Sequence, residues 1–129
     1  MLARKSTRPR RQNSHRADDI KRCPPFLQWV RGRSCLLLDK RGHECRGRVR
    51  ACHVDYAGDK GVGTKVSDRH AVPMCDGAHA EQTGQLGWGP FEAKWGINAL
   101  ESAADLWRYW LDGTVMGAKW KRAREGEGA

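Results

Sequence analysis

A chain of 129 residues that is 39% hydrophobic has material for one modest domain, and a core that small often depends on a staple such as a disulfide or a metal. A formal net charge of +9 points to a polyanionic partner, nucleic acid before membrane, because the chain has no apolar 18-residue run and no amphipathic basic helix. No signal peptide follows Met1, so the expected location is a reducing cytoplasm, where the five cysteines are free or metal-bound rather than paired.

Residues 1–22 carry eight Lys/Arg against Asp18 and Asp19, so +6 of the charge sits in a segment with almost nothing to bury. It reads as a disordered basic arm, with Arg8, Arg10 and Arg11 contacting the phosphate backbone of DNA, or as a solvated tail that aids solubility. Pro24 and Pro25 mark the start of a domain over 23–116, and Phe26 to Val30 predicts a short helical turn with an apolar face. Cys35-Leu36-Leu37-Leu38 is too short for a helix and predicts a buried strand. Asp39 to His43 is a turn by composition, and the chain returns at Cys45.

Arg48 to Asp55 alternates charged and apolar residues and predicts a strand with one wet face. Residues two apart share a face, so His53 and Asp55 lie together, and a carboxylate beside an imidazole can orient a general base. The alternative is a hydrogen-bonded surface histidine. The glycine-rich loop 57–65 is not a phosphate-binding loop of the Walker type, because Thr64-Lys65 reverses the required order and no long helix follows. It reads as a basic loop placing Lys65 near DNA, or as a plain linker.

Ser67-Asp68-Arg69-His70 leads through an apolar approach, Ala71 to Met74, to Cys75. From Asp76 a helix is predicted, with Asp76 as its cap and His79 one turn in. On a helix start the spacing of Cys75 and His79 brings both side chains to one side, and zinc accepts thiolate and imidazole in a tetrahedral shell. Cys35, Cys45, Cys75 and a histidine would make a Cys₃His set from three chain segments; the alternative is free cysteines in an ordinary core. Asn98 to Asp112 is the plainest helix, with Trp107 and Trp110 read as packing residues and base stacking as the alternative. Residues 117–129 read as a polar, frayed tail.

The order Trp29-Val30-Arg31, Cys35, Cys45, Ala51-Cys52-His53-Val54, Gly61 to Arg69, Val72-Pro73-Met74-Cys75, His79-Ala80-Glu81-Gln82, Gly87-Trp88 and Phe91 resembles the small phage and prophage HNH-type nucleases related to the recombination-enhancement family. The resemblance covers roughly residues 26–112. It implies an α+β, ββα-metal (HNH-like) fold stapled by zinc and flanked by helices, acting as a metal-dependent DNA endonuclease. In that family pattern His53 is the general base, His79 the first helix histidine of the metal site, and His70 lies near the pattern's middle Asn or His; in the nuclease reading Asp55 or His70 joins His79 at the catalytic metal. The pattern makes Cys35, Cys45, Cys75 and His79 the metal ligands, with structural Zn²⁺ and a catalytic Mg²⁺ or other divalent ion. DNA contacts fall to the arm and to Arg48, Arg50, Lys65 and Arg69.

Two positions depart from the pattern: Ala78 replaces the first histidine of Cys-x-x-His-His, and Thr83 stands where another histidine is common. His79 is therefore asked for by both sites. If it holds the catalytic ion, the fourth zinc ligand must come from Cys52, His43 or a water. The alternative function is a zinc-stabilised DNA-binding or recombination accessory module with weak or no catalysis.

Overall fold

The computed structural model describes residues 22–57 and 66–128. The two prolines occupy the first turn of helix α1, Pro24–Arg31, where their missing N–H groups cost nothing, and its apolar face buries Phe26 and Val30. The next segment differs from the expected strand. Residues 36–39 form turns, with the Leu36 N–H donating to the Pro73 carbonyl at 2.9 Å, so Cys35 to Leu37 runs beside the sheet instead of joining it.

Two antiparallel strands make the sheet: β1, Val49–His53, and β2, Ala71–Cys75. Val49 lies opposite Cys75 and His53 opposite Ala71. The apolar approach to Cys75 is thus itself a strand, buried at all five positions because helices cover it on both sides. A 3₁₀ turn, Asp68–His70, feeds β2, which runs directly into helix α2, Asp76–Glu81, and on through a π-helical stretch, Gln82–Leu86. Gly87, at φ 77°, breaks that stretch and starts α3, Trp88–Trp95.

Helix α4, Ala99–Gly113, begins where the sequence places it, with the Asn98 side chain accepting the Glu101 N–H at 3.0 Å. The chain does not fray beyond it. Val115–Gly128 forms helix α5, folded back on α4 so closely that a Cβ at Gly117 would stand 1.8 Å from the Trp110 carbonyl oxygen. Trp120 meets Trp110 at 6.5 Å between ring centroids. Only glycine lets the two helices approach there.

The sheet separates two apolar clusters. One gathers Leu37, Val54, Val72, Met74, Trp88 and Phe91 around the cysteines; the other packs Phe26, Val30 and Ala71 against Trp110. The result is a small α+β fold of one two-stranded sheet and five α-helices among the described residues. No described helix is long and apolar enough to cross a membrane. Residues 1–21 of the predicted arm, with the DNA contacts Arg8, Arg10 and Arg11, and Lys65 lie outside the described residues.

Candidate metal centre and histidine cleft

Cys75 ends β2 in extended conformation, φ −67° and ψ 166°, and is the N-cap of α2. Its sulfur, not the Asp76 carboxylate, caps the helix by accepting the Ala78 N–H at 3.4 Å. The Cys35 sulfur accepts two further backbone N–H groups, from Leu37 at 3.4 Å and from Cys75 at 3.3 Å. N–H groups aimed at sulfur favour the thiolate, the form that binds metal. Burial alone would push the Cys75 thiol up, but the N–H groups of Ala78 and Arg46, with His43 and Cys35, outweigh it and bring the thiol down to about 6. Cys45 moves the other way, to about 12, through desolvation of its sulfur and the adjacent Cys35 and Cys75 sulfurs. Bringing these sulfurs together without a cation is therefore unfavourable once more than one ionises.

The donor atoms of Cys35, His43, Cys45 and Cys75 all lie within 4.8 Å of one another. His43 Nε2 stands 3.5 Å from the Cys75 sulfur. A tetrahedral zinc with the usual bond lengths separates an imidazole nitrogen from a thiolate sulfur by ~3.6 Å, so the set fits zinc in number, type and spacing. It could hold such an ion.

The sequence expectation needs one correction here: His43, not His79, joins the three cysteines. Helical spacing suggested that Cys75 and His79 share a side, but Cys75 is not in helical conformation, so the rule does not apply to the pair. His43 is held instead by Trp95, whose ring it meets nearly edge-on at 5.5 Å. Cys52 is no ligand either. It is buried, which pushes its thiol up to about 11, and its sulfur approaches the Arg50 carbonyl at 3.8 Å.

His79 lines a different space, an open cleft of about 660 Å³ bounded by β1, α2, the π stretch and α3. His53, Asp55, Tyr56, Thr83 and Glu92 line it too. His53 and Asp55 thus line one cleft, yet the carboxylate that meets His53 is another one: Nε2 lies 2.9 Å from Asp68 Oδ1. The second oxygen of Asp68 accepts the Cys23 N–H at 2.7 Å. Burial works to raise the Asp68 pKa, but the bonds from His53 and Cys23 hold it below the usual carboxylate range. Asp68 is therefore ionised near neutrality and can only accept, so Nε2 of His53 carries the hydrogen of this bond, and in the neutral imidazole the lone pair falls to Nδ1.

Across the cleft the Tyr56 hydroxyl donates to Glu92 Oε2 at 2.6 Å, and the same oxygen accepts the Ala99 N–H at 2.7 Å. Desolvation and the Glu92 carboxylate push the Tyr56 hydroxyl up, so it stays a donor. Among the described residues, no group of three or more Cys, His, Asp or Glu donors other than the Cys/His cluster is drawn together closely enough for a metal.

The remaining expected residues divide. His70 does not join His53; it sits at the end of the 3₁₀ turn and lines a separate cleft beside α4, because β2 leaves that turn toward α2. Arg69 lines the same α4 cleft. Arg50 is exposed on β1 but engaged by Asp76, which also accepts the Arg48 N–H at 3.2 Å. This bracing needs Gly47, at φ 75°, where a Cβ would stand 2.2 Å from Asp76 Oδ2. The sequence signalled neither Asp68 as the partner of His53 nor Glu92 as a cleft residue, since neither lies at a periodic spacing from the histidines.

No protein-family model, curated protein or solved structure matches the chain.

Proposed function

We propose that the chain is a metal-dependent DNA endonuclease of the HNH, ββα-metal type, hydrolysing phosphodiesters in phage or prophage DNA processing. One observation carries the proposal. The strand histidine His53 and the helix histidine His79 line one cleft of a β–β–α unit, while a separate Cys/His cluster sits at the head of the same helix. With His43 in that cluster, His79 is left to the cleft.

In this reading Asp68 fixes the imidazole of His53 with Nδ1 as its basic nitrogen, and Nδ1 takes the proton of an attacking water. The water oxygen bonds to phosphorus, the bond from phosphorus to the 3′-oxygen breaks, and the leaving oxygen collects a proton from solvent. His79 and Asp55, which line the same cleft, would hold a divalent ion. Such an ion would supply Lewis-acid stabilisation of the leaving oxygen and of the crowded phosphate charge. The Cys35, His43, Cys45 and Cys75 cluster would hold a structural zinc that fixes the start of α2.

A second reading, a zinc-stabilised DNA-binding or recombination accessory module, is favoured by the missing helix histidines. Ala78 is buried in the core and Thr83 lines the cleft, so His79 has no partner histidine on α2. A supercoiled-plasmid assay with Mg²⁺, Mn²⁺ or Zn²⁺ separates the two. Nicking by the wild type that falls about 10²- to 10⁴-fold in His53→Ala supports the nuclease. Equal cutting by both proteins removes His53 from the mechanism. Binding without cutting under any ion gives the accessory module.

A further inference from the structure

Helix α4 is apolar over a wider arc than its packing uses. Its inward stripe is Ala99, Ala103 and Trp110, all buried. A second stripe, Leu100, Ala104, Trp107 and Leu111, follows one residue on at helical spacing and lines an open cleft of about 440 Å³. The cleft is rimmed by Arg69 and His70 from the 3₁₀ turn and by Arg108 from α4, an exposed guanidinium that also meets Asp105 at 3.4 Å, and no carboxylate is among the described residues that line the cleft itself.

We propose that this cleft binds an unpaired nucleotide of single-stranded DNA, its base on Trp107 and its phosphates on Arg69 and Arg108. Three features argue for that occupant. The indole of Trp107 is fixed from behind, edge-on to Phe26 at 5.0 Å between centroids and tilted by 30° on Trp110 at 5.5 Å. A base that stacks there meets a platform already ordered. The cations stand at the rim of an apolar floor, which matches a ligand with one flat apolar face and one negative charge per unit. Stacking on Trp107 needs the flat face of a base, which an unpaired nucleotide offers and the interior of a duplex hides, so duplex DNA would be held elsewhere, on its backbone.

The α4 cleft is distinct from the His53 cleft; Arg69 and His70 follow Asp68 directly in the chain, so the two sites share the 3₁₀ turn. The proposal rests on the DNA-processing reading and sharpens its substrate to DNA with an unpaired stretch.

The test uses the full chain and fluorescence anisotropy with a labelled dT₁₂ and a labelled blunt duplex. Two variants spare Trp107, whose loss would also disturb Phe26 and Trp110. Ala104→Leu fills the cleft from an exposed helical position, and Arg69→Ala/Arg108→Ala removes two exposed cations. Ala104→Leu should weaken dT₁₂ binding about fivefold or more, the loss of one base stack, with duplex affinity within about twofold of wild type. The double arginine variant should weaken dT₁₂ binding and lower its salt slope by ~1.4, about 0.7 for each phosphate contact on a single strand.

Unchanged dT₁₂ affinity in Ala104→Leu, or equal losses on both DNAs, overturns the inference and leaves the nuclease reading standing. Absence of binding to either DNA by the wild type overturns both. Competition for the cleft by an acidic Glu-Leu peptide, with no response to dT₁₂, gives it to a protein partner and also overturns the inference.

Discussion

His43 in the Cys/His cluster and His53 in the open cleft show two ways of using the same side chain in one small molecule. At the Cys/His cluster, sulfurs buried on Cys35 and Cys75 are met by backbone N–H groups from three segments, and the donors crowd within 4.8 Å. At the His53 cleft, among the described residues, the imidazole is held by Asp68, and its side chain remains 37% exposed. The first arrangement saturates its donors against each other; the second leaves a basic nitrogen and open volume. One suits an ion that holds the fold together, the other a site that must admit and release a substrate.

Removing a cluster sulfur should break this contrast most severely. Cys75→Ser deletes a metal donor and also the sulfur that caps α2, and structural zinc can contribute on the order of 10 kcal/mol or more. The expected result is loss of bound zinc by elemental analysis and loss of the cooperative melt by circular dichroism. A folded, metal-free Cys75→Ser protein would disprove a structural ion. Smaller, and sharper, is a comparison of two histidine variants. His43→Ala should lower zinc affinity by more than the roughly 10- to 100-fold that outer-shell changes cost, whereas His79→Ala should leave zinc stoichiometry and affinity as in wild type. The reverse pattern in a chelator competition would return His79 to the cluster.

Much of this was legible in the residues. The three cluster cysteines stand out because thiols in a small basic chain have few other uses, and α4 announces itself through Asn98 and the recurring Leu100, Ala103, Trp107 and Trp110. The fourth donor was legible only as an alternative, with His43 named beside Cys52 and a water, since the rule that favoured His79 presumes helix at both residues of a pair four apart, and Cys75 is extended. The carboxylate partner of His53 was hidden for a related reason. Asp55 does line the same cleft as His53, but β1 ends at His53, so strand alternation does not reach Asp55, and Asp68 arrives from a turn fifteen residues later. Composition misled at the C-terminus. The polar run after Gly117 looks frayed, yet Trp120 on Trp110, and the Arg124 guanidinium 4.0 Å from the centre of the Trp120 ring, hold it as a helix.

The smallest expected effect concerns Asp68, and it separates orientation from stability at the cleft. Its pKa is held down in the folded protein, because the bonds from His53 and Cys23 outweigh the cost of burial. A group whose folded pKa is depressed contributes stability above its unfolded pKa, near 3.9, and loses it as the pH falls through the folded value. Asp68→Asn keeps the shape and removes the charge, so at pH 7 it should cost about 2 kcal/mol, the worth of hydrogen bonds to an ionised acceptor. That difference in urea melts should shrink below pH 4 as the wild-type carboxyl protonates. Because an Asn side chain can also donate to Nε2, it admits the tautomer with the lone pair turned toward residue 68, and DNA cutting at pH 7 should fall further than stability alone explains. A stability difference that stays constant from pH 7 down to pH 3 would show that the Asp68 charge contributes nothing, and the His53 cleft would then lack the fixed imidazole on which the proposed hydrolysis depends.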